Sequence, residues 1–359
     1  MHMFSVEVAM TGRVSDCVLR LAPVLLVTAV LAACGGPPPE PGVMIDGQRI
    51  AVIDVHLHTG TWENTPPGFR KRLTDRIPRG FKWVMGPFMD RALSARSILG
   101  QLDDAGISGG GVFALYSPHT TGIAPNEFVS AQIEPHQERL YGFASLRVDD
   151  WNNSSAAELA RLEAGVQMPG MRGIKLAHAH QQIRFDDRRF DGIYEICSRL
   201  QKPVYLHTGT SPNPGTRTEP PFADPAYLEE SIKAWPGCTF ILGHTGYDTF
   251  NKALTYVDSA IALAQRYPNV YLEPGAMGAE RADEVRVDFF RRVKSGGVID
   301  KMIYGSDGPQ FPGYVDSHLK AVVAAMREIG YTPGEMELLL SGNFLRVFGL
   351  PPIEIGGGS

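Results

Sequence analysis

Val52-Ile53-Asp54-Val55-His56-Leu57-His58 is the first hydrophobic run of the folded part of the chain, and it ends in two histidines separated by one leucine. Side chains at i and i+2 of a β-strand point to the same face. His56 and His58 therefore offer two imidazoles in one direction, and imidazole is a common ligand of catalytic divalent metals. A strand with two histidines on its solvent face would show the same pattern, so further ligand-type residues elsewhere in the chain are needed to indicate a metal site.

Outward from this run, short β-rich segments alternate with amphipathic segments, which is typical of a parallel sheet with crossover helices. Phe190, Ile193, Cys197 and Leu200 recur at helical spacing before Pro203. Roughly 300 residues, 50–350, suit a single α/β domain, a (β/α)8 TIM barrel with an insertion after strand 1 over 59–90. Eight strands are predicted, near Val52–His58, Gly111–Tyr116, Tyr141–Leu146, Gly173–Ala177, Val204–His207, Phe240–His244, Val270–Glu273 and Met302–Ser306.

The N-terminal 33 residues have the pattern of a signal peptide. Arg13 and Arg20 precede the apolar stretch Leu21–Leu31, which ends in Ala32-Ala33-Cys34. Leu31-Ala32-Ala33-Cys34 resembles the lipobox of bacterial lipoproteins, which implies that Cys34 is lipidated and anchors the protein to a membrane of the cell envelope. Residues 34–49 would form a Pro/Gly-rich tether and 351–359 a flexible tail. An ordinary secretory signal or a wrongly assigned start, with Cys34 incidental, stays an alternative.

Composition favours a large folded body and a small-molecule substrate. Hydrophobic residues make up 43% of the chain and charged residues 20%, and the net charge of −5 argues against nucleic acid as a partner. The oligomeric state is left open, with a homodimer among the options. Cys197 and Cys238 are expected to be two separate buried thiols, because Cys197 lies on a helical apolar stripe and Cys238 directly precedes a strand; a disulfide between them is the alternative.

Three further predicted strands end in ligand-type residues. Leu206-His207-Thr208-Gly209 closes strand five, Leu242-Gly243-His244-Thr245-Gly246 closes strand six, and Tyr304-Gly305-Ser306-Asp307 closes strand eight. The C-terminal ends of all strands of a (β/α)8 barrel meet at one mouth, where the active sites of this fold lie. The two histidines of strand one should therefore meet His207, His244 and Asp307.

With these motifs the chain resembles the amidohydrolase superfamily, and within it the amidohydrolase 2 branch of metal-dependent hydrolases and decarboxylases related to aminocarboxymuconate semialdehyde decarboxylase. Gly173-Ile174-Lys175-Leu176 and the closing run Gly342–Leu350 complete the likeness. The resemblance implies that His56, His58, His207 and Asp307 bind one divalent metal ion, with zinc as the default and manganese as the alternative. It also implies that His244 contacts the attacking water or the substrate. Lys175 could be carbamylated and bridge two ions, but one ion is expected.

The implied chemistry is hydrolysis by a metal-activated water. A cation held by imidazoles and one carboxylate lowers the pKa of bound water, Asp307 can receive its proton, and His244 can orient the nucleophile. We expect a small ester, lactone or amide as substrate. A non-oxidative decarboxylase of a small carboxylic acid is the alternative, and a catalytically silent binding lipoprotein is the third hypothesis.

Substrate contacts are less well defined by the sequence. Arg217, after strand five, could clamp a carboxylate, and Trp62, after strand one, lies in an equally suitable loop. His178 and His180 are expected to be exposed loop histidines. Asp54 and Glu273 are candidates for orienting a metal ligand from behind.

Overall fold

A computed structural model describes residues 40–75, 77–275, 277, 283–309 and 311–355. The predicted signal peptide and Cys34 lie outside the described residues. Within them the strands are β1 Val43–Ile45, β2 Gln48–Ile50, β3 Ile53–His58, β4 Gly109–Phe113, β5 Leu115–Ser117, β6 Gly122–Ala124, β7 Leu140–Ala144, β8 Met171–Leu176, β9 Val204–His207, β10 Phe240–Gly243 and β11 Val270–Leu272.

Helices follow or separate the strands as a barrel requires. They are Pro67–Thr74, Met85–Ala92, Ala95–Asp104, Asn126–Ile133, Trp151–Val166, His178–Gln181, Asp191–Leu200, Pro220–Ala223, Glu229–Ala234, Val257–Arg266, Asp283–Ser295, Tyr314–Ile329, Pro333–Glu337 and Asn343–Phe348. The first two occupy the segment between β3 and the helix Ala95–Asp104. None of the helices within the described ranges has both the length and the apolar character needed to cross a membrane.

Seven parallel strands form the main sheet in the order β11-β10-β9-β8-β7-β4-β3. The predicted eighth strand is an irregular extended segment that hydrogen bonds to both edges. Ile303 N donates to Leu272 O of β11 at 2.8 Å, and Val55 N of β3 donates to Tyr304 O at 2.9 Å. The segment therefore closes the sheet, and the TIM-barrel prediction is confirmed.

A side chain interrupts the ladder at this seam. The backbone N of Ser306 donates to Asp54 Oδ1 at 2.9 Å, and the backbone N of His56 donates to the same oxygen at 3.0 Å. A carboxylate thus takes the place of a carbonyl acceptor at Ser306.

Side chains at alternate positions of the strands fill the barrel interior, but this alternation breaks near the end of β3. Ile53 and Val55 lie in the interior cluster with Phe113 and Tyr205, whereas Leu57 packs in the outer layer between sheet and helices. The pairing register of β3 with β4 shifts between Asp54 and Leu57. Such a bulge re-aims side chains, and here it directs His56 to the interior, where its ring lies 4.9 Å from that of Phe113.

The prediction of two separate thiols is wrong. Cys197, in the helix Asp191–Leu200, and Cys238, just before β10, form a disulfide with a Cα–Cα distance of 5.2 Å. The helix packs on the outside of the sheet and its stripe meets the entry to β10, so the two positions become neighbours. Sequence spacing does not contain this distance, because 41 residues separate the cysteines.

Candidate metal centre

The structure brings three of the predicted ligands to one point at the barrel mouth. His56 Nε2 lies 3.1 Å from His58 Nε2, and Asp307 Oδ1 lies 3.0 Å from each of them. His56 and Asp307 come from β3 and the closing segment, which the seam at Asp54 holds side by side. The side chains of His58 and Asp307 are 35% and 21% exposed, so this face of the cluster is open to a substrate.

Local backbone strain marks the same residues. Asp307 and His244 are held in the left-handed region, with φ of 66° and 62°. This conformation is unfavourable for residues other than glycine and persists where the surrounding structure enforces it, often at functional sites. The chain therefore turns sharply out of the barrel at these positions and leaves their side chains at the mouth.

A hydrogen-bonded relay fixes the ring of His56. Its Nδ1 lies 2.7 Å from the hydroxyl of Tyr205, and that hydroxyl donates to Glu273 Oε2 at 2.7 Å. Glu273 also accepts from the backbone N of His244 at 2.9 Å and of Gly275 at 2.7 Å. Because the Tyr205 hydroxyl donates its proton to Glu273, its oxygen can accept a hydrogen bond from the Nδ1–H of His56. In that tautomer the Nε2 of His56 has a lone pair for a metal.

Tyr205 is the functional residue that sequence reasoning missed. The signal was present, because in the run Val204-Tyr205-Leu206-His207 the period of two places Tyr205 on the same face as His207. A close approach also constrains Gly243 of β10: a Cβ atom there would collide with the ring and hydroxyl of Tyr205. The glycine that ends β10 is thus explained by the tyrosine beneath it.

His207 and His244 form a second pair beside the cluster. His244 Nε2 lies 3.0 Å from His207 Nδ1, and the ring of His244 lies 5.0 Å from that of His56. His207 Nε2 and His244 Nδ1 are buried without a hydrogen-bond partner. The structure therefore places His207 next to His244 and does not bring it into the triangle of His56, His58 and Asp307. Its role as a fourth ligand stays a prediction.

Burial and charge set the protonation of these groups. Although burial opposes ionisation, the neighbouring His56 holds the pKa of Asp307 well below its usual range and that of Glu273 at about 2. Burial lowers the pKa of His58, lowers that of His244 to about 4, and lowers that of His207 strongly. At neutral pH these three imidazoles are neutral and the two carboxylates are charged. Burial opposes a charge on His56, but Asp307 and Glu273 raise its pKa, so a cation bound at its Nε2 would have to displace a proton.

Several predicted positions lie elsewhere. His178 and His180 are not exposed: they are 1% and 8% accessible, because the short helix His178–Gln181 folds over the mouth. Arg217 pairs with Glu219 at 2.6 Å on the surface and makes no described contact with the histidine cluster. Trp62 is half-buried, with its backbone N donating to Asp90 at 2.6 Å and with Arg70 above its ring. The substrate roles of Arg217 and Trp62 stay predictions.

The donor set fits a divalent ion of the zinc or manganese type. Two ligand atoms at about 2.1 Å from such an ion lie about 3.0 Å apart at the right angle of octahedral coordination and about 3.4 Å apart at the tetrahedral angle that zinc prefers. The three distances of 3.0–3.1 Å in the triangle are nearer the octahedral value, and two imidazole nitrogens with one carboxylate oxygen are ligand types that both metals accept. A second grouping of His56, His244 and Glu273 is also close enough, but three donors to Glu273 already occupy its carboxylate.

A (β/α)8 barrel with histidines and an aspartate at the C-terminal ends of its strands defines the class of metal-binding TIM-barrel enzymes. The chain belongs to the amidohydrolase family, whose model matches residues 53–350. This match covers the barrel from its first strand to the end of the helix Asn343–Phe348. No curated protein sequence matches the chain significantly.

Solved structures share the fold at low sequence identity. A TIM-barrel protein from Bordetella bronchiseptica is 20% identical with a TM-score of 0.61, over 84% of this chain and 99% of that one. A probable 2-pyrone-4,6-dicarboxylic acid hydrolase from Acinetobacter baumannii, with citric acid bound, is 17% identical with a TM-score of 0.56, over 84% and 100%. A 2,6-dihydroxybenzoate decarboxylase from Rhizobium is 14% identical with a TM-score of 0.56, over 84% and 99%.

Proposed function

We propose that the protein is a metal-dependent hydrolase of a small ester, lactone or amide, acting at the cell envelope. The observation that carries the proposal is the convergence of His56 Nε2, His58 Nε2 and Asp307 Oδ1 within 3.0–3.1 Å at the barrel mouth. A divalent ion bound there would polarise a carbonyl and lower the pKa of a water molecule. Zinc is the first candidate and manganese the second.

The residues of the chain have distinct tasks in this reaction. The relay through Tyr205 and Glu273 fixes the His56 ring, so that its Nε2 keeps a lone pair towards the cluster. Asp307 is ionised and receives the proton of the attacking water, and then passes it to the leaving group. If His207 binds through its Nε2, its Nδ1 proton is donated to His244 Nε2, and His244 Nδ1–H becomes the donor that orients the substrate carbonyl.

The test is a panel of lactones, esters and amides screened with purified protein, with and without a chelator and after metal is restored. Turnover should disappear with chelation and return with Zn²⁺ or Mn²⁺. A matched control is His119→Ala, because His119 is an exposed histidine past the second barrel strand. Activity that survives complete metal removal would contradict the proposal.

Non-oxidative decarboxylation is the second candidate. The support is that the fold is shared with 2,6-dihydroxybenzoate decarboxylase, and that the same cluster has an open side at His58 and Asp307 where a carboxylated ring could lie. Release of carbon dioxide from carboxylated aromatics by metal-loaded protein would favour this candidate over hydrolysis.

The proposed location rests on Cys34 and the apolar stretch before it, with lipidation as the link to a bacterial membrane. The disulfide between Cys197 and Cys238 supports export, since such bonds persist in oxidising compartments. Mass spectrometry of the mature N-terminus tests this: a diacylglyceryl group on Cys34 is expected, and Cys34→Ser should release the protein from the membrane fraction. An unprocessed N-terminus would contradict it.

A further inference from the structure

Exposed hydrophobic side chains of the described residues are concentrated on one side of the barrel. Of the seven large ones, six follow the C-terminal end of a barrel strand and so lie on the side of the mouth; they are Phe81, Trp83 and Phe88 after β3, Tyr227 after β9, Phe250 after β10 and Phe311 after the closing segment. The three after β3 belong to residues 79–92, the basic aromatic segment, which comprises the 3-10 helix Arg79–Val84 and the helix Met85–Ala92. Isolated exposed hydrophobic residues are normal, but a cluster indicates contact with a partner.

The basic aromatic segment is fixed to the barrel by its inner side. Asp90 accepts a hydrogen bond from the backbone N of Trp62 at 2.6 Å. Gly86 is the one buried residue of the segment, and a Cβ atom there would lie 3.1 Å from the ring of Trp62. Trp83, by contrast, is 74% exposed, and the two phenylalanines of the segment are 47% and 44% exposed. The aromatic side chains therefore extend away from the barrel into solvent.

The charge of this region is opposite to that of the whole chain. Residues 59–94, between β3 and the helix Ala95–Asp104, contain seven Lys and Arg against three Asp and Glu, a net charge of +4, whereas the chain carries −5. Among the described residues, no carboxylate forms an ion pair with the cationic side chains of the basic aromatic segment, which are Arg79, Lys82 and Arg91. The segment thus presents uncompensated positive charge together with exposed aromatic rings.

We propose that the basic aromatic segment docks on the surface of a bilayer that contains anionic phospholipid. Trp and Phe rings next to Lys and Arg are typical of segments that lie in the membrane interface, where the rings enter between the headgroups and the cations contact lipid phosphates. Each Lys or Arg at such a surface strengthens binding about fivefold. Charge complementarity favours lipid over a second copy of the chain, because a symmetric dimer through this segment would bring two regions of the same positive charge together.

The position of the segment fits a membrane that also holds the N-terminus. Gly42 follows Cys34 by eight residues, and its backbone N donates to Gly106 O at 2.6 Å. Gly106 lies just after the helix Ala95–Asp104, and the basic aromatic segment lies just before it. A helix of ten residues is about 15 Å long, so Gly42 and the segment lie along the same side of the barrel. The inference goes beyond the proposed reaction, and it requires neither the metal centre nor lipidation of Cys34.

The test measures whether Trp83 enters the bilayer. The full mature chain, with any acyl group it carries, is added to vesicles whose acyl chains are brominated, because bromine quenches a tryptophan that reaches it. The contribution of Trp83 is the difference between the wild-type protein and Trp83→Phe. At saturating lipid this contribution should be quenched on mixed vesicles of phosphatidylglycerol and phosphatidylcholine. The ratio of docked to undocked protein should be at least about tenfold higher there than on phosphatidylcholine alone.

Matched variants separate the segment from the rest of the surface. Arg79→Gln combined with Lys82→Gln should lower the docked ratio on mixed vesicles about 25-fold, from about fivefold per charge. Arg199→Gln combined with Lys233→Gln removes two exposed charges elsewhere and should leave the ratio unchanged, as should Trp235→Phe, which lies before β10 at the opposite end of the barrel.

Two results with the wild-type protein would overturn the inference without any charge variant. One is a Trp83 contribution that is not quenched on mixed vesicles, and the other is an equal docked ratio on the two lipid compositions. A Trp83 emission that shifts with protein concentration in the absence of lipid would assign the segment to a contact between two copies of the chain and would also overturn it.

Discussion

Asp54 is expected to contribute both to the stability of the barrel and to the affinity of the metal site, because it links the first barrel strand to the closing segment. Its Oδ1 accepts hydrogen bonds from the backbone N of His56 at 3.0 Å and of Ser306 at 2.9 Å, and the residue is fully buried. One of these donors belongs to a candidate ligand, and the other directly precedes Asp307. Asp54 therefore fixes the relative position of two ligands that lie at opposite ends of the barrel sequence.

The magnitude follows from these two bonds. Asp54→Ala leaves two buried N–H groups without an acceptor, at about 1–3 kcal/mol each, so the free energy of unfolding should fall by about 2–6 kcal/mol. Loss of a group that orients a metal ligand typically reduces metal affinity by about 10–100-fold. Asp54→Asn should be mild in both respects, because the amide oxygen can accept both bonds and burial already raises the pKa of Asp54 to about 7.

Two measurements check this prediction. Urea unfolding of metal-free protein gives the stability, and competition with a chromophoric chelator gives the Zn²⁺ affinity. Asp104→Ala is the matched control, since this aspartate is exposed at a helix end and should change stability by less than about 0.5 kcal/mol. Wild-type Zn²⁺ affinity in Asp54→Ala would refute the reasoning, as would an Asp54→Asn variant as damaged as Asp54→Ala.

Three other predictions follow from the same structure. Replacing Cys197 and Cys238 by Ala should lower the free energy of unfolding by about 4 kcal/mol, the chain-entropy value for a loop of 41 residues; an unfolding midpoint of wild-type protein that is insensitive to reductant would contradict it. His244→Ala should keep the metal, as measured by elemental analysis, and lose most turnover, whereas Asp307→Ala should lose metal as well; full turnover in either variant would disprove the assigned roles. Burial lowers the pKa of His178 from 6.5 to about 3. Between these pH values the unfolded chain binds more protons than the folded chain, so the free energy of unfolding falls as the pH drops, by at most about 1.4 kcal/mol per pH unit. Urea unfolding between pH 7 and 4 should show a shallower decline in His178→Gln, and identical slopes would count against this assignment.

The sequence predicted those features that follow from one strand and its two ends. The position of a histidine at the tip of β9 or β10 can be read from the hydrophobic run before it, and the parallel barrel then requires all tips to meet. This argument predicted that His56, His58, His207, His244 and Asp307 would meet at the mouth. The structure brings His56, His58 and Asp307 to one point and pairs His207 with His244 beside them. The sequence also predicted the seven strands of the main sheet with each end within three residues, a common error for element boundaries, whereas the predicted eighth strand is an irregular segment.

Contacts between elements were beyond this reasoning. Two examples are the disulfide from Cys197 to Cys238 and the burial of His178 and His180 in the short helix at the mouth. Each depends on how a helix packs on a neighbouring strand, and neither hydrophobic period nor spacing contains that distance. The amphipathic pattern of the helix Asp191–Leu200 correctly placed Cys197 on the buried side, but it could not tell which residue faces it.

The sequence by itself thus determined the barrel, the mouth and the types of residue collected there, because the periods of two and 3.6 and the direction of parallel strands are local properties. Only the tertiary structure determined which of the possible metal-ligand atoms lie close enough together to bind one ion. The bulge in β3 turns His56 inward, Tyr205 and Glu273 fix its ring, and His207 pairs with His244 at 3.0 Å. These outcomes depend on angstrom-scale packing among residues far apart in the chain, and that packing is a property of the whole fold.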